Sequence, residues 1–526
     1  MPTVQAVFDK GYAMPKFARL ASAAAGSLAM CCITSLSQAQ PVPQPSLVDP
    51  ALGVRTVVSG LDQPIHMAFL SKNDFLVIEK ATGRVKRVVS GAVQSTVLDL
   101  PVNSASERGL LSIALHPDFP RNPGVYLYWS ESSTGQDTND LALVPLLGNR
   151  VDRFVWNGST LVFDRNIIRL RAFQADEGQP LRGNHDGGVL RFEPRKHKGK
   201  HWHGGHRPWK GGKHDDDRAK LYVIVGDLGR RGYMQNNLQG PVPDDQFGGP
   251  EPDDAHLSGV VLRLNDDGSA PRDNPFYRIG KRIPGEFGEN VQKIFAYGFR
   301  NSFGMDFDPK TGDLWTQENG DDSFTEINRV KPGHNSGWIQ VMGPIHRIDQ
   351  FKLIETTQFA MALQQIRWPP SRIADSPAQA LQRMFKLPGS HYSDPEFSWK
   401  YELPPAALTF MRGKGLGRKY QGNMFLGAAR AGIEPSTVPG ASVVSGHLFR
   451  LKLSHHRRGF RFDDPRLNDR VADNLDKHDI TESESLLFGR DFGVAPDLRT
   501  GPNGNLFVVS LSNGTVYEIF RKRRPQ

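Results

Sequence analysis

A histidine and an aspartate near the middle of the chain have the types and surroundings of an acid–base pair. Asn184-His185-Asp186-Gly187-Gly188 precedes one apolar segment, and Val225-Gly226-Asp227-Leu228-Gly229-Arg230 closes the next. If the two segments pair as a hairpin, His185 and Asp227 meet at one end of it. A carboxylate fixes the tautomer of an imidazole and raises its basicity, which suits proton abstraction near neutral pH. The same spacing fits a histidine that caps a turn beside Gly187-Gly188. In a second cluster, Tyr297-Gly298-Phe299-Arg300-Asn301-Ser302-Phe303-Gly304, Arg300 and Asn301 stand side by side ahead of a strand. Their donors can face a carbonyl or carboxylate oxygen, or close a loop salt bridge. A third cluster, Glu318-Asn319-Gly320-Asp321-Asp322-Ser323-Phe324-Thr325-Glu326, is rich in oxygens. Carboxylates and backbone carbonyls suit Ca²⁺, although this is not the EF-hand spacing.

The elements that must hold these residues recur along the chain. Met67-Ala68-Phe69 leads to Phe75-Leu76-Val77-Ile78, and Ser112 to Pro117 leads to Gly124 to Tyr128. Gly188 to Pro194 leads to Leu221 to Val225, and Gly304 to Pro309 leads to Gly312 to Trp315. Ala407 to Phe410 leads to Gly422 to Leu426, and Asp497 to Pro502 leads to Gly504 to Val508. Each copy reads as a hairpin: period-two alternation broken by Gly or Pro turns. The uneven spacing excludes a solenoid and predicts an all-β, six-bladed β-propeller with loop insertions, in which small sheets repeat around an axis. Two β-sandwiches are the competing arrangement. Ring closure is expected between Val54 to Val58 and Thr515 to Phe520. Insertions are expected near 132–178, with a hairpin about Asn157-Gly158, near 195–218, and near 345–390, with helical periodicity at Phe359 to Ile366 and Pro377 to Phe385. The 195–218 stretch holds His197, His201, His203, His206 and His214 among glycines, which reads as a solvated loop and leaves a metal site open.

Composition agrees with one large β domain. The 526 residues include 53 glycines and 38 prolines, 38% are hydrophobic and 23% charged. That is too apolar for a disordered chain and too interrupted for long helices. The formal charge of +9 comes with no nucleic-acid motif, so no nucleic-acid partner is expected. After the first forty residues no apolar run reaches the roughly eighteen needed for an integral membrane span. Lys10, Lys16 and Arg19 precede the small and apolar stretch Leu20 to Leu36, and Ser37-Gln38-Ala39 offers a cleavage site. Residues 1–39 therefore read as a secretory signal, and 40–526 as the propeller, periplasmic or secreted. Both cysteines, Cys31 and Cys32, fall inside the leader, so the mature chain needs no disulfide.

Taken together, the motifs resemble the glucose/sorbosone dehydrogenase family of soluble quinoproteins. Those that carry the likeness are Glu107-Arg108-Gly109-Leu110-Leu111-Ser112-Ile113-Ala114-Leu115-His116-Pro117-Asp118-Phe119, the NHDGG run at 184–188, LYVIVGD at 221–227, LRLNDDGSAPRDNPF at 262–276, FRNSFG at 299–304 and Asn335-Ser336-Gly337-Trp338. They occur in family order and span about 53 to 520. The resemblance implies a six-bladed propeller that oxidises the anomeric hydroxyl of an aldose to a lactone with pyrroloquinoline quinone (PQQ) and calcium. It implies a sugar substrate and an electron acceptor that the sequence does not name. By resemblance, His185 is the general base, Asp227 its carboxylate partner and Arg300 the arginine that polarises the quinone. Glu107, Asn184, Asn301 and Arg430 fall at cofactor-contacting positions. Gly320, with Asp321 beside it, falls at the cofactor's calcium, and Glu326 with the backbone of Ser336 at a structural calcium site.

Departures from the family pattern bear on cofactor affinity. Glu107 stands for Gln, Asn184 for Asp, Ser302-Phe303 for a Pro-Gln pair, Asp321 for Pro, and Gly232 for another Gln. Phe492-Gly493-Val494-Ala495-Pro496 lacks the two arginines that clamp the PQQ carboxylates in the best-known glucose oxidisers, with Arg490 nearby. Each lost charge-assisted contact is worth about 1.5–3 kcal/mol. The competing functions are a non-catalytic extracellular propeller of the same family that binds without turnover, and a Ca²⁺-dependent lactone hydrolase, whose motif set is absent.

Overall fold

Each of the six apolar repeats forms an antiparallel hairpin. Pro64–Ser71 pairs with Asp74–Glu79, Leu110–Leu115 with Gly124–Ser130, and Val189–Phe192 with Lys220–Val225. Gly304–Phe307 pairs with Leu314–Glu318, Pro405–Phe410 with Met424–Ala428, and Asp497–Thr500 with Leu506–Ser510. Each hairpin supplies the first two strands of one sheet, and further strands extend the sheets outward, so that the described residues form six sheets. Strand two is buried on both faces nearly everywhere, as in Lys220–Val225 and Met424–Ala428, because a sheet lies on each side of it. The first strands touch one another in chain order, and the last, Asp497–Thr500, returns to the first, Pro64–Ser71. This is an all-β propeller.

The structure is a computed structural model that describes residues 44–173, 183–194, 218–229, 257–357, 373–429 and 446–523. The chain divides into two units, Met1–Val42 and Pro43–Gln526. The first unit, and with it the predicted leader 1–39, lies outside the described residues, as do Arg430, Gly232 and all of the His-rich stretch 195–218 but Arg218. Among the described residues no helix is long and apolar enough to cross a membrane.

Closure falls where the sequence predicts it. Leu52–Val58 pairs antiparallel with Thr515–Arg521, Val54 opposite Ile519, so the N-terminal strand completes the last sheet. The expected insertion at 132–178 is narrower than predicted. Asn149–Trp156 and Leu161–Leu170, joined about Asn157-Gly158, are the two outer strands of the second sheet. The outermost, Leu161–Leu170, is exposed at Val162 and Phe163, which blurs its alternation in the sequence. Among the described residues of the 345–390 segment two α-helices form, Ile348–Thr357 and Pro377–Arg383, the second capped by the Ser376 side chain. Phe359 to Ile366 lies outside the described residues.

Polar residues on the innermost strands join the first, second, third and sixth sheets to one another, and the fourth to the fifth. Ser112 Oγ lies 2.9 Å from His66 Nδ1 and accepts from the Leu190 amide at 3.1 Å. Arg191 reaches Asp497, which also takes the Met67 amide at 3.0 Å. Asp306 accepts from Thr409 Oγ1, the Phe410 amide and both terminal nitrogens of Arg412. Between the sheets the packing is apolar, with Trp315, Trp399, Phe397 and Phe410 in one cluster.

Candidate active site

The predicted site residues gather at one end of the propeller because of where they sit on the strands. Glu107, His185 and Arg300 precede the innermost strands of three consecutive sheets, while Asp227 and Asn319 follow the antiparallel second strands. The two sets of ends coincide in space. Backbone bonds tie them together: the Asp227 amide donates to the Arg300 carbonyl at 2.8 Å, and the Asn319 amide to the Asn301 carbonyl at 2.8 Å. A side chain at Gly226 would fall on the His185 carbonyl, so a glycine is needed for the two loops to cross.

His185 Nδ1 lies 2.6 Å from Asp227 Oδ1, both residues buried, which leaves Nε2 as the nitrogen that can take a proton. Asp227 Oδ1 also accepts from the Gly229 amide at 2.8 Å, and Oδ2 from Trp338 Nε1 at 2.8 Å. Burial alone would raise the Asp227 pKa. The His185 charge and hydrogen bond, with Arg300 and Trp338, outweigh it and hold the carboxyl below its ordinary value. His185 adopts a left-handed backbone, φ 62°, and its amide donates to Glu107 Oε2 at 2.5 Å. Asn301 Nδ2 reaches the same oxygen at 3.3 Å. Strained backbone of this kind persists where neighbours fix it, and Glu107 is the neighbour.

Arg300 is 4% exposed, and its guanidinium lies over the Trp338 ring, 5.6 Å from its centroid. Nη1 donates to the carbonyls of Asn319 at 3.0 Å and Gly320 at 2.9 Å, and Nη2 to Asp321 Oδ1 at 2.8 Å. Burial would lower its pKa, but Asp321, Asp227 and Glu355 raise it, so it stays charged. Beside it the buried atoms Arg300 Nε, Asn301 Oδ1, Ser302 Oγ and Asn319 Oδ1 have no hydrogen-bond partner among the described residues. Buried polar atoms are rarely left so, and a group of them beside an acid–base pair suits a polar ligand.

Two glutamates lie just below. Glu318 and Glu326 are directly opposite on neighbouring strands, 0% and 1% exposed. Glu318 takes the Arg300 amide and the Ser336 hydroxyl, the latter at 3.1 Å. Glu326 takes Asn328 Nδ2 at 2.9 Å and the Gly343 amide at 2.5 Å. Burial pushes Glu318 up to about 8, and burial with the Glu318 charge pushes Glu326 well above the carboxylate range. Two buried carboxyls on directly opposed residues, with the Ser336 hydroxyl beside them, are oxygen donors of the kind a divalent cation takes. No cluster of three or more His, Cys, Asp or Glu arranged for a metal occurs among the described residues, so carbonyls and hydroxyls would have to complete it.

Of the predicted site, His185, Asp227, Arg300, Asn301 and Glu107 come together. Asn184, half-buried, packs against Gly229 one turn away. Gly320 and Asp321 are spanned by the Arg300 fork, and Glu326 and Ser336 are linked through Asn328 Nδ2, which donates to both. Arg430 lies outside the described residues. Sequence reasoning gave no role to Glu318, Trp338 or Glu355. Glu355, from the helix Ile348–Thr357, accepts from the Asp322 amide at 3.0 Å and from the Ser323 amide and hydroxyl at 3.1 and 2.8 Å. It thereby holds the loop that carries Gly320 and Asp321. Opposed glutamates on one hairpin are a signal for the first; nothing local marks the others.

A propeller with a buried His–Asp pair, a charged arginine and unsatisfied polar atoms at one end has a site, and the fold alone does not name its chemistry. Comparison with known proteins narrows this: the family model described as Glucose / Sorbosone dehydrogenase matches residues 61–384, and the chain belongs to that family. It is 30% identical over 302 residues to quinoprotein glucose dehydrogenase B of Acinetobacter calcoaceticus, 55% of this chain and 52% of that one. It is 26% identical over 289 residues to the aldose sugar dehydrogenase YliI of Escherichia coli, 55% of this chain and 62% of that one. The matches thus span less than two thirds of these relatives. Among solved structures, the soluble aldose sugar dehydrogenase of E. coli in its apo form superposes with a TM-score of 0.54 at 20% identity, over 90% of this chain and 100% of that one. A structure described as glucose dehydrogenase gives 0.55 at 19%, over 90% and 100%. These likenesses bear on the fold.

Proposed function

We propose that this chain is an exported, six-bladed quinoprotein that oxidises the anomeric hydroxyl of an aldose to a lactone, using PQQ and Ca²⁺. The observation that carries the reading is the His185–Asp227 pair at 2.6 Å beside a charged Arg300 and a set of unpartnered buried polar atoms. Six sheets with a closed ring of first strands support the blade number. When bound, PQQ would supply the hydride acceptor and calcium its polarisation. His185 Nε2 takes the proton of the sugar hydroxyl, so that hydride loss from the same carbon becomes favourable. Asp227 keeps Nδ1 protonated and steadies the imidazolium that results. Arg300 places positive charge where negative charge grows on the acceptor, in a site dry enough for that charge to matter. Asn301 and Glu107 fix the positions of both loops. Glu318 and Glu326, with Ser336, would hold a structural calcium; Gly320 and Asp321 border the cofactor's own, and Asn184 and Arg430 complete the proposed cofactor contacts.

The deciding experiment is titration of the purified protein with PQQ and Ca²⁺, followed by dye reduction over a panel of sugars. Binding with reduction by one or more aldoses is expected. A protein that binds no PQQ would be a non-catalytic propeller of the same family. For export, intact mass of the secreted protein should show a mature N-terminus near Gln40; a full-length cytosolic chain would overturn that part.

A further inference from the structure

Three of the residues assigned to cofactor and metal, Arg300, Gly320 and Asp321, are already bonded to one another. The Arg300 fork spans the loop 319–321, with Nη1 on the Asn319 and Gly320 carbonyls and Nη2 on the Asp321 carboxylate. The loop itself is held from outside. Lys477 Nζ donates to the Asp321 carbonyl at 3.0 Å and to Asp322 Oδ1 at 2.8 Å, and Glu355 caps the Asp322 and Ser323 amides. The Asp321 side chain is 16% exposed and the Arg300 side chain 5%, so their charge-assisted bond is only weakly screened. A divalent cation on the Gly320 carbonyl would sit against the guanidinium that now covers that oxygen, and two cations cannot share it without repulsion.

We propose that Asp321 is a positioning residue that parks the Arg300 guanidinium across the Gly320 carbonyl, so that a divalent cation must displace the guanidinium before it can occupy this loop. The inference rests on the quinoprotein reading. It assigns Asp321 a role opposite to that of a metal ligand. A ligand carboxylate strengthens cation binding, whereas a parking carboxylate strengthens the cation's competitor. The two roles predict opposite signs for the same substitution.

The test follows PQQ uptake by quenching of protein fluorescence while Ca²⁺ is varied, with chelator-treated wild type and Asp321→Ala. Asp321→Ala should lower the half-saturating Ca²⁺ roughly tenfold, the scale of one charge-assisted contact. Asp321→Glu, which keeps the carboxylate, should stay near wild type. A half-saturating Ca²⁺ that rises or does not move in Asp321→Ala would overturn the proposal. Melting curves confirm that the variants are folded. A wild type that takes up no PQQ at any Ca²⁺ would overturn the quinoprotein reading instead. The parking role is then decided without cofactor, by Tb³⁺ luminescence excited through tryptophan, with Trp338→Phe identifying the signal from this loop. Tighter Tb³⁺ binding in Asp321→Ala supports the role, and weaker or equal binding ends it.

Discussion

Asp306 and the Glu318–Glu326 pair are buried to the same degree, 4%, 0% and 1% exposed, and their protonation goes opposite ways. Burial would raise Asp306, but the paired Arg412 guanidinium, helped by Arg191 and the Phe410 amide, holds it down at about 2. Glu318 is pushed up to about 8 by the same burial, and its neighbours do not compensate. Among the described residues neither glutamate has an ion-pair partner, whereas Asp306 has a bidentate one. The first cluster is complete within the chain and joins the fourth sheet to the fifth. The second lacks a counter-charge, and like charges directly opposite on two strands oppose folding unless something neutralises them. An acidic group that the fold pairs with its own arginine is structural; a pair left without a counter-charge is neutralised either by protons or by an ion, and the two can be told apart.

If that division is right, damage at the two clusters should separate activity from stability. The largest effect is expected at the functional end. His185→Ala should cost at least about 10²-fold in turnover per folded molecule with PQQ, the range of general-base removal; Asp227 keeps the Gly229 amide and Trp338 Nε1 as partners, so the urea midpoint should fall less than in Arg412→Ala. Equal turnover without the imidazole would refute the base assignment. Next in size is metal removal. A bound ion at a hundredfold excess over its Kd stabilises by about 2.7 kcal/mol, so chelator should lower the melting temperature and Ca²⁺ restore it. A melting curve indifferent to both would mean that the paired glutamates are neutralised by protons alone. Arg412→Ala should show the reverse of His185→Ala. Its stem reaches solvent, but loss of the bidentate partner leaves a buried carboxylate short of its charged donors, at a cost of about 1.5–3 kcal/mol in urea unfolding with turnover per folded molecule unchanged. Loss of turnover as large as that of His185→Ala would show that the two clusters are not separable.

How much of this could be read from the residues depends on whether the signal is local. The inner hairpins could, because Gly188 to Pro194 or Asp497 to Pro502 carries both the period of a strand and the turn that ends it. His185, Asp227 and Arg300 could, because each stands immediately outside such a strand, and antiparallel pairing brings those ends together. The outer strands Asn149–Trp156 and Leu161–Leu170 could not be told from an insertion, since register shifts interrupt their pairing and one edge is exposed. Trp338 lies 111 residues from the Asp227 it supports, and it is the pairing of His334–Asn335 with Ile294–Tyr297, in the sheet that also holds Lys220–Val225, that brings them within 2.8 Å. Glu318 was visible as a member of an acidic run, but its partnership with Glu326 depends on the register across the Asn319 to Asp322 turn. Arg300 and Asp321 were given separate roles by resemblance. That one holds the other is a property of the loop's shape.

Acid provides the smallest test and the one most specific to the complete cluster. Asp306 has a folded pKa of about 2 against an ordinary 3.8. A carboxyl depressed in the folded state contributes its full stabilisation above the unfolded value. It loses that contribution as the pH falls from near 3.8 through about 2, because the folded form must then take up a proton that the unfolded chain binds more readily. The depression corresponds to about 2 kcal/mol at neutral pH. In Asp306→Asn this contribution is absent at every pH, so unfolding free energies of variant and wild type should converge as the pH drops through that window. Equal differences at pH 6 and pH 2.5 would show that the Arg412 bond does not set the Asp306 charge. The distinction between a cluster finished by its own arginine and one left open would then lose its structural half.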